Sequence, residues 1–277
     1  MSEAVYRAFA EQLARPDDEL ELDRLALLIA QVFQPDLDVE AYLHRLDLMG
    51  EHAAVRLADV IGARQTILAL NQYLFDDERF QGNSESYYDP RNSFLNEVLE
   101  RRTGIPITLS LLYMEVARRV GFAVEGVGLP GHFLVRHPGP EGILYFDPFD
   151  RGRFMTAHDC EQKLQAMFGK GAECDPRWLE ALPPRRILSR MLSNLKGVYV
   201  HAQEPTAVVK VLELTVRLDP NNLDDLKSRG LIYLQLECFG KARADFELYL
   251  QLEPDAPDRS RIQGYLTVAR DQLMRMN

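Results

Sequence analysis

"RRTGIPITLSLLYMEVARRVGF", residues 101–122, decides the fold. Pro106 suits the first turn of a helix, where a missing N–H removes no hydrogen bond. The helix is expected to run to about Val120, with Leu109, Leu112, Val116 and Val120 on one face, and Gly121 stops it. Downstream, "FAVEGVGL" (122–129) and "HFLVRH" (132–137) read as strands, and "HPGPEG" (137–142) is a hairpin-type turn into "ILYFDPF" (143–149). A helix followed by at least three antiparallel strands is α+β order, not repeated βαβ units.

Upstream, residues 1–75 read as helical. Leu22, Leu25, Leu28, Ile29 and Val32 recur at helical spacing, Pro35 breaks the run, and Asp38 is a candidate N-cap for the next helix. Leu43, Leu46, Val55, Leu57, Val60 and Ile61 extend apolar faces, with a short helix over 64–74. Residues 76–93 are polar and rich in turn formers, a long loop of the kind that carries function. Asn92 or Ser93 is expected to cap a helix through about Arg102, ended by Gly104. A helix is expected around 158–168, and Pro183-Pro184 marks a boundary between 1–183 and 184–277.

The last part repeats. Leu192 and Leu226, Tyr199 and Tyr233, Leu212 and Phe246, Leu218 and Leu252, and Pro220 and Pro254 are each 34 residues apart. That period is the tetratricopeptide helix-turn-helix signature. The second copy keeps Gly230, Tyr233, Ala242, Phe246 and Pro254; the first is degenerate, with Lys196 at a small-residue position. Residues 261–276 form the capping helix. With about two repeats, this region is expected to need a neighbour in order to fold.

A net charge of −10 argues against a diffuse electrostatic hold on nucleic acid or an anionic membrane, and so against direct DNA regulation. Cys160, Cys174 and Cys238 show no CxxC spacing and are odd in number, so neither a disulfide framework nor a metal site is expected. The N-terminus lacks the apolar core of a signal peptide, and no apolar run approaches the ~18–20 residues of a span. The expectation is a cytoplasmic protein with no cofactor and no metal.

A histidine opening one strand and an aspartate closing the next is the frame of a cysteine hydrolase, in which a thiolate sits at a helix N-terminus. "GIPITLSLLYMEVARRVGF", "GHFLVRH" and "YFDPF" resemble the transglutaminase-like (papain-related) core. The resemblance makes His132 the histidine, Asp147 the acid and Pro106 the occupant of the nucleophile position. Proline has no nucleophilic side chain, and none of the three cysteines is near this helix in sequence. Longer phrases, "YYDPRNSFLNEVLERRTGIPITLSLLY", "GVGLPGHFLVR" and "FDPFDRG", make the chain similar to a bacterial family in which a transglutaminase-like region precedes tetratricopeptide repeats. Its members are linked by name to regulation of an invasion-gene regulator. The implied fold is a helical N-terminal part, a core of one helix packed on an antiparallel sheet, and an all-α repeat region.

The resemblance implies a fold and a domain order but no reaction; with Pro106 at the nucleophile position, the expected function is non-catalytic binding of a protein or peptide partner, in a cleft lined by Asn92, Arg101 and Pro106 and on the repeats. The alternative is a hydrolase or acyltransferase in which Thr108 or Ser110 attacks, with His132 as base and Asp147 orienting it. Thr108 and Ser110 read equally as helix-start hydroxyls bonded to backbone. Trp178 reads as core or as a plug between the two parts.

Overall fold

The computed structural model describes residues 2–140 and 142–276. The chain divides into two compact units, 1–191 and 192–277. Among the described residues, no helix is long and apolar enough to cross a membrane.

The first unit opens with helices α1 (Ser2–Leu13), α2 (Leu22–Phe33), α3 (Val39–Leu57) and α4 (Ala63–Asn71). Asp38 caps α3 by accepting the Ala41 N–H at 3.1 Å. Leu22, Leu25, Leu28, Ile29 and Val32 are buried as expected. Val55, near the end of α3, and Ile61, between α3 and α4, are not, at 76% and 88% exposed. The 76–93 segment is more ordered than its composition suggests. It contains a two-residue strand β1 (Gln81–Gly82) and a 3₁₀ turn over Pro90–Ser93. The next helix, α5 (Leu95–Arg101), is preceded by Phe94 without a side-chain cap, so Asn92 and Ser93 lie in the 3₁₀ turn and do not cap it. It closes on Arg102 in the left-handed conformation (φ 57°), two residues before Gly104. Strand β2 (Thr103–Gly104) then pairs in parallel with β1.

Helix α6 (Pro106–Arg119) is buried from Pro106 to Tyr113 and again from Glu115 to Ala117. The one-faced helix expected from the spacing is therefore corrected. The helix lies between α2, α3 and α5 on one side and the sheet on the other, so both flanks lose water. The sheet has four antiparallel strands in chain order: β3 (Glu125–Val127), β4 (Leu134–Gly139), β5 (Gly142–Asp147) and β6 (Arg153–Met155). Val135 faces Phe146 across β4 and β5, and Tyr113 from α6 meets the Phe146 ring edge-on at 5.0 Å. Helix α7 (Ala157–Phe168) follows, begun by a reciprocal cap between Thr156 and Asp159. Trp178 is exposed, which removes its expected place in a core.

Helix α8 (Pro184–His201) contains the division between the units. In the second unit its last turns precede α9 (Pro205–Leu218), α10 (Leu223–Gln235), α11 (Phe239–Leu252) and α12 (Arg259–Met276), which gives the two hairpins and closing helix read from the repeat. Gly230 is required where α10 meets α11, because a Cβ there would lie 2.7 Å from the Phe246 ring. Lys196, the departure in the first repeat, reaches Asp225 on α10 at 2.5 Å and trades a close helix contact for an ion pair.

Candidate functional site

The β4–β5 pairing carries the end of β5 to the turn before β4, and so brings residues 132 and 147 together. Gly131 has φ +72°, a conformation that favours glycine, and it turns the chain so that His132 points inward. Nε2 of His132 donates to Oδ2 of Asp147 at 2.8 Å. Oδ1 of Asp147 accepts the Phe149 N–H at 3.0 Å, fixing the carboxylate on both sides. Arg190 donates to the carbonyls of Leu129 and His132, at 2.8 and 3.2 Å, and pins the turn.

A third member has no counterpart in the sequence reading. Lys163, on α7, places Nζ 2.9 Å from Oδ2 of Asp147 and 3.3 Å from Nε2 of His132. Asp147 is fully buried. Burial pushes its carboxyl upward, but the hydrogen bonds and charges of His132 and Lys163 prevail and hold it below the ordinary carboxylate value. Phe149 stands edge-on to His132, with ring centres 6.1 Å apart, and also covers Gly82, where a Cβ would lie 2.6 Å from the ring. It thus bridges from β1 to the histidine.

The other candidates form a separate cluster. Asn92 is buried and clamps the preceding loop: its Nδ2 donates to the Ser86 and Tyr87 carbonyls, and its Oδ1 accepts from Asn83 at 3.1 Å. Arg101 pairs with Asp89 at 3.3 Å and lies 3.5 Å from the Asn92 Oδ1. Pro106 is the first residue of α6. Thr108 Oγ1 donates to the Asn92 carbonyl at 2.8 Å and accepts the Ile105 N–H at 3.1 Å, the helix-start role. Ser110 Oγ is buried with no hydrogen-bond partner. Among the described residues, no hydrogen bond or ion pair joins Asn92, Arg101, Pro106, Thr108 or Ser110 to His132 or Asp147.

None of the three cysteines lies on α6, and two of them, Cys160 and Cys174, have thiols raised above their ordinary value. Cys160 is fully buried, and burial first, then neighbouring Cys174 and carboxylates, push it up to about 11. Burial raises Cys174 as well. Such thiols stay protonated at neutral pH and are poor nucleophiles. Among the described residues, no group of three or more His, Cys, Asp or Glu side chains could hold a metal ion. Larger concavities of the first unit lie away from the pair, one of about 660 Å³ beside Leu22, Met114 and Phe122. The cleft expected beside His132 is thus closed, with the histidine only 8% exposed.

Comparison with known proteins agrees with this architecture. The transglutaminase-like superfamily matches residues 40–193, and the tetratricopeptide repeat matches residues 195–267. A UPF0162 protein of Xylella fastidiosa is 40% identical over 259 residues, covering 92% of each chain. A UPF0162 protein of Pseudomonas aeruginosa is 31% identical over 237 residues, 86% of each. The F-box only protein 21 of Homo sapiens is 36% identical over 139 residues, 47% of this chain and 21% of that protein.

Proposed function

This chain belongs to the UPF0162 family, a transglutaminase-like core followed by tetratricopeptide repeats, and from that premise we propose that it is a non-catalytic binding protein for a protein or peptide partner. One observation carries the reading: the His132–Asp147 pair is present, hydrogen-bonded and buried, while the position a nucleophile would take at the start of α6 is held by Pro106. Pro106 stands at the helix start, the Thr108 hydroxyl is bound to backbone, Ser110 is sealed from solvent, and the Cys160 thiol stays protonated. A nucleophile and its base act as a unit, so loss of one removes nearly all covalent catalysis.

The repeats supply the second half. Helical repeats present grooves between neighbouring helices. In the second unit, Tyr199, Val200, Pro205, Val208 and Ile232 line one of about 410 Å³. Val200 is 58% exposed there, an apolar side chain suited to a partner's apolar residue.

Two measurements test the proposal. The purified chain is expected to show no amide hydrolysis and no amine incorporation into glutamine substrates; turnover abolished by His132→Ala would sink it in favour of the hydroxyl nucleophiles. Peptides selected on the full chain from a random library should lose binding on Val200→Glu, with folding retained by circular dichroism. Failure to recover any peptide would count directly against a binding role.

A further inference from the structure

A binding role for the first unit requires access to His132, and His132 and Asp147 are only 8% and 0% exposed. One side of the pair is covered by α7, through Lys163, with Phe149 against the histidine ring as well. We propose that α7 is a lid latched by Lys163, and that a peptide reaches His132 and Asp147 only when this helix lifts. The proposal rests on the binding reading for its ligand, but not for its mechanics.

The attachment of α7 is thin. Of its twelve residues only Cys160 and Leu164 are buried, against Leu129, Leu134 and Met155. Lys163 is its polar tie to β5, through Asp147, and a longer pair of 3.6 Å joins Asp159 to Arg153 of β6, an exposed side chain. Its remaining polar contacts stay within residues 156–165: Thr156 with Asp159, His158 with Gln162 and Glu161, and Glu161 with Gln165. The reciprocal cap at Thr156 and Asp159 keeps the first turn wound, so the helix moves as a rod.

The far end is looser. Met167 and Phe168 lie across Gly131, its notional Cβ being 2.9 Å from the Met167 sulfur and 3.4 Å from the Phe168 ring. They nevertheless stay 42% and 61% exposed, so they cover the turn without being covered themselves. Gly169 then ends the helix at φ +99°, and around both Gly169 and Gly171 no heavy atom beyond the adjoining residues lies within 4 Å of where a Cβ would sit. A segment with few buried apolar groups and an unpacked glycine end opens at lower free energy than the core around it.

Cys160 is a built-in reporter, fully buried on the inner face of the lid. In a full-length Cys174→Ser, Cys238→Ser background it is the sole thiol, and its alkylation rate by iodoacetamide reads the opening of α7. Lys163→Met and Leu164→Ala are each expected to raise that rate about tenfold. Hydrogen–deuterium exchange should quicken over 157–168 and not in α6. Unchanged rates in both variants, or exchange rising equally throughout the first unit, would overturn the lid. Peptide binding separates the two proposals. Selected peptides that bind while Cys160 reactivity stays fixed in both variants refute the lid alone. Faster labelling with no peptide recovered supports the lid and refutes the binding reading.

Discussion

Two buried carboxylates in the first unit have been driven in opposite directions. Asp147 is held below its ordinary value, whereas Glu115, on α6 and 4% exposed, is pushed up to about 7. Burial raises both. The difference lies in what shares the space. Asp147 has the Oδ2 contacts of His132 and Lys163 and no second acid. Glu115 shares Arg118 and Arg119 with Asp23, so one proton is retained where two anions would crowd the same guanidinium pair. Asp23 itself is lowered, against burial, by Arg119 above all. Burial is the largest push on Glu115, and the neighbouring charges decide whether such a push prevails: Asp23 adds to it there, whereas His132 and Lys163 outweigh it at Asp147.

The largest test removes the anion from the balanced site. Asp147→Asn leaves the Lys163 ammonium beside His132 without its counter-charge, and breaking a buried pair in this way costs about 3–5 kcal/mol. Urea unfolding of the first unit at pH 7 should show the loss. Because the folded carboxyl is held below its ordinary value of 3.8, the stability it gives is present above that pH and disappears as pH falls below it. The variant and the parent should therefore converge in acid. Equal stability at pH 7 would break the comparison at its stronger end.

The crowded site should answer with the opposite sign. Glu115 has a folded value of about 7 against an ordinary 4.5, so the folded state binds the extra proton and stability declines as pH rises between those values. Glu115→Gln keeps the shape without the charge. It is expected to match the parent at pH 4.5 and to be more stable by about 3 kcal/mol at pH 8. Thermal melts across that range would show it. A variant less stable than the parent at pH 8 would mean that the arginines satisfy both acids after all.

How much of this was legible depends on the range of each contact. The repeat was readable because Leu192 and Leu226, Tyr199 and Tyr233, and Pro220 and Pro254 recur at one fixed period. The His132–Asp147 pair was readable because consecutive antiparallel strands bring together residues flanking one turn. Lys163 carried no signal. It lies on a polar helix face that would ordinarily be solvated, and only the docking of α7 turns it onto Asp147. Asn92 was misread as a cap because a polar residue before an apolar run has two uses. Here the side chain holds the loop behind it, and Phe94 starts the helix. Val55 and Ile61 show the limit of periodicity, which marks apolar positions but not whether anything covers them.

A smaller effect is expected from withdrawing one cation at the balanced site. Lys163→Met preserves the aliphatic stem, and His132 remains to hold Oδ2. One charge-assisted hydrogen bond disappears, worth about 1.5–3 kcal/mol. The loss should be less than for Asp147→Asn, and the acid limb of the stability curve should move to higher pH, since one of the groups lowering Asp147 has gone. A loss as large as that of Asp147→Asn would mean that His132 contributes nothing to holding the carboxylate.

The smallest effect concerns a third acid on the same arginine. Asp47 accepts from Arg119 Nε at 2.8 Å, close to the 2.7 Å of the buried Arg119–Asp23 pair, but its side chain is 58% exposed. If geometry governed, Asp47→Asn would resemble Asp147→Asn. If the environment governs, water and salt already screen this pair, and the change should stay within about 0.5 kcal/mol. Arg119 keeps Asp23 and Glu115 as partners, so no charge is left stranded. The residual difference should also fade as sodium chloride approaches about 1 M, where screening acts over about 3 Å. Melts of parent and variant at low and high salt would decide it. A loss above 1 kcal/mol that persists in high salt would show that the Arg119 cluster behaves as one buried unit out to its rim, and that exposure of a single member is a poor guide to its worth.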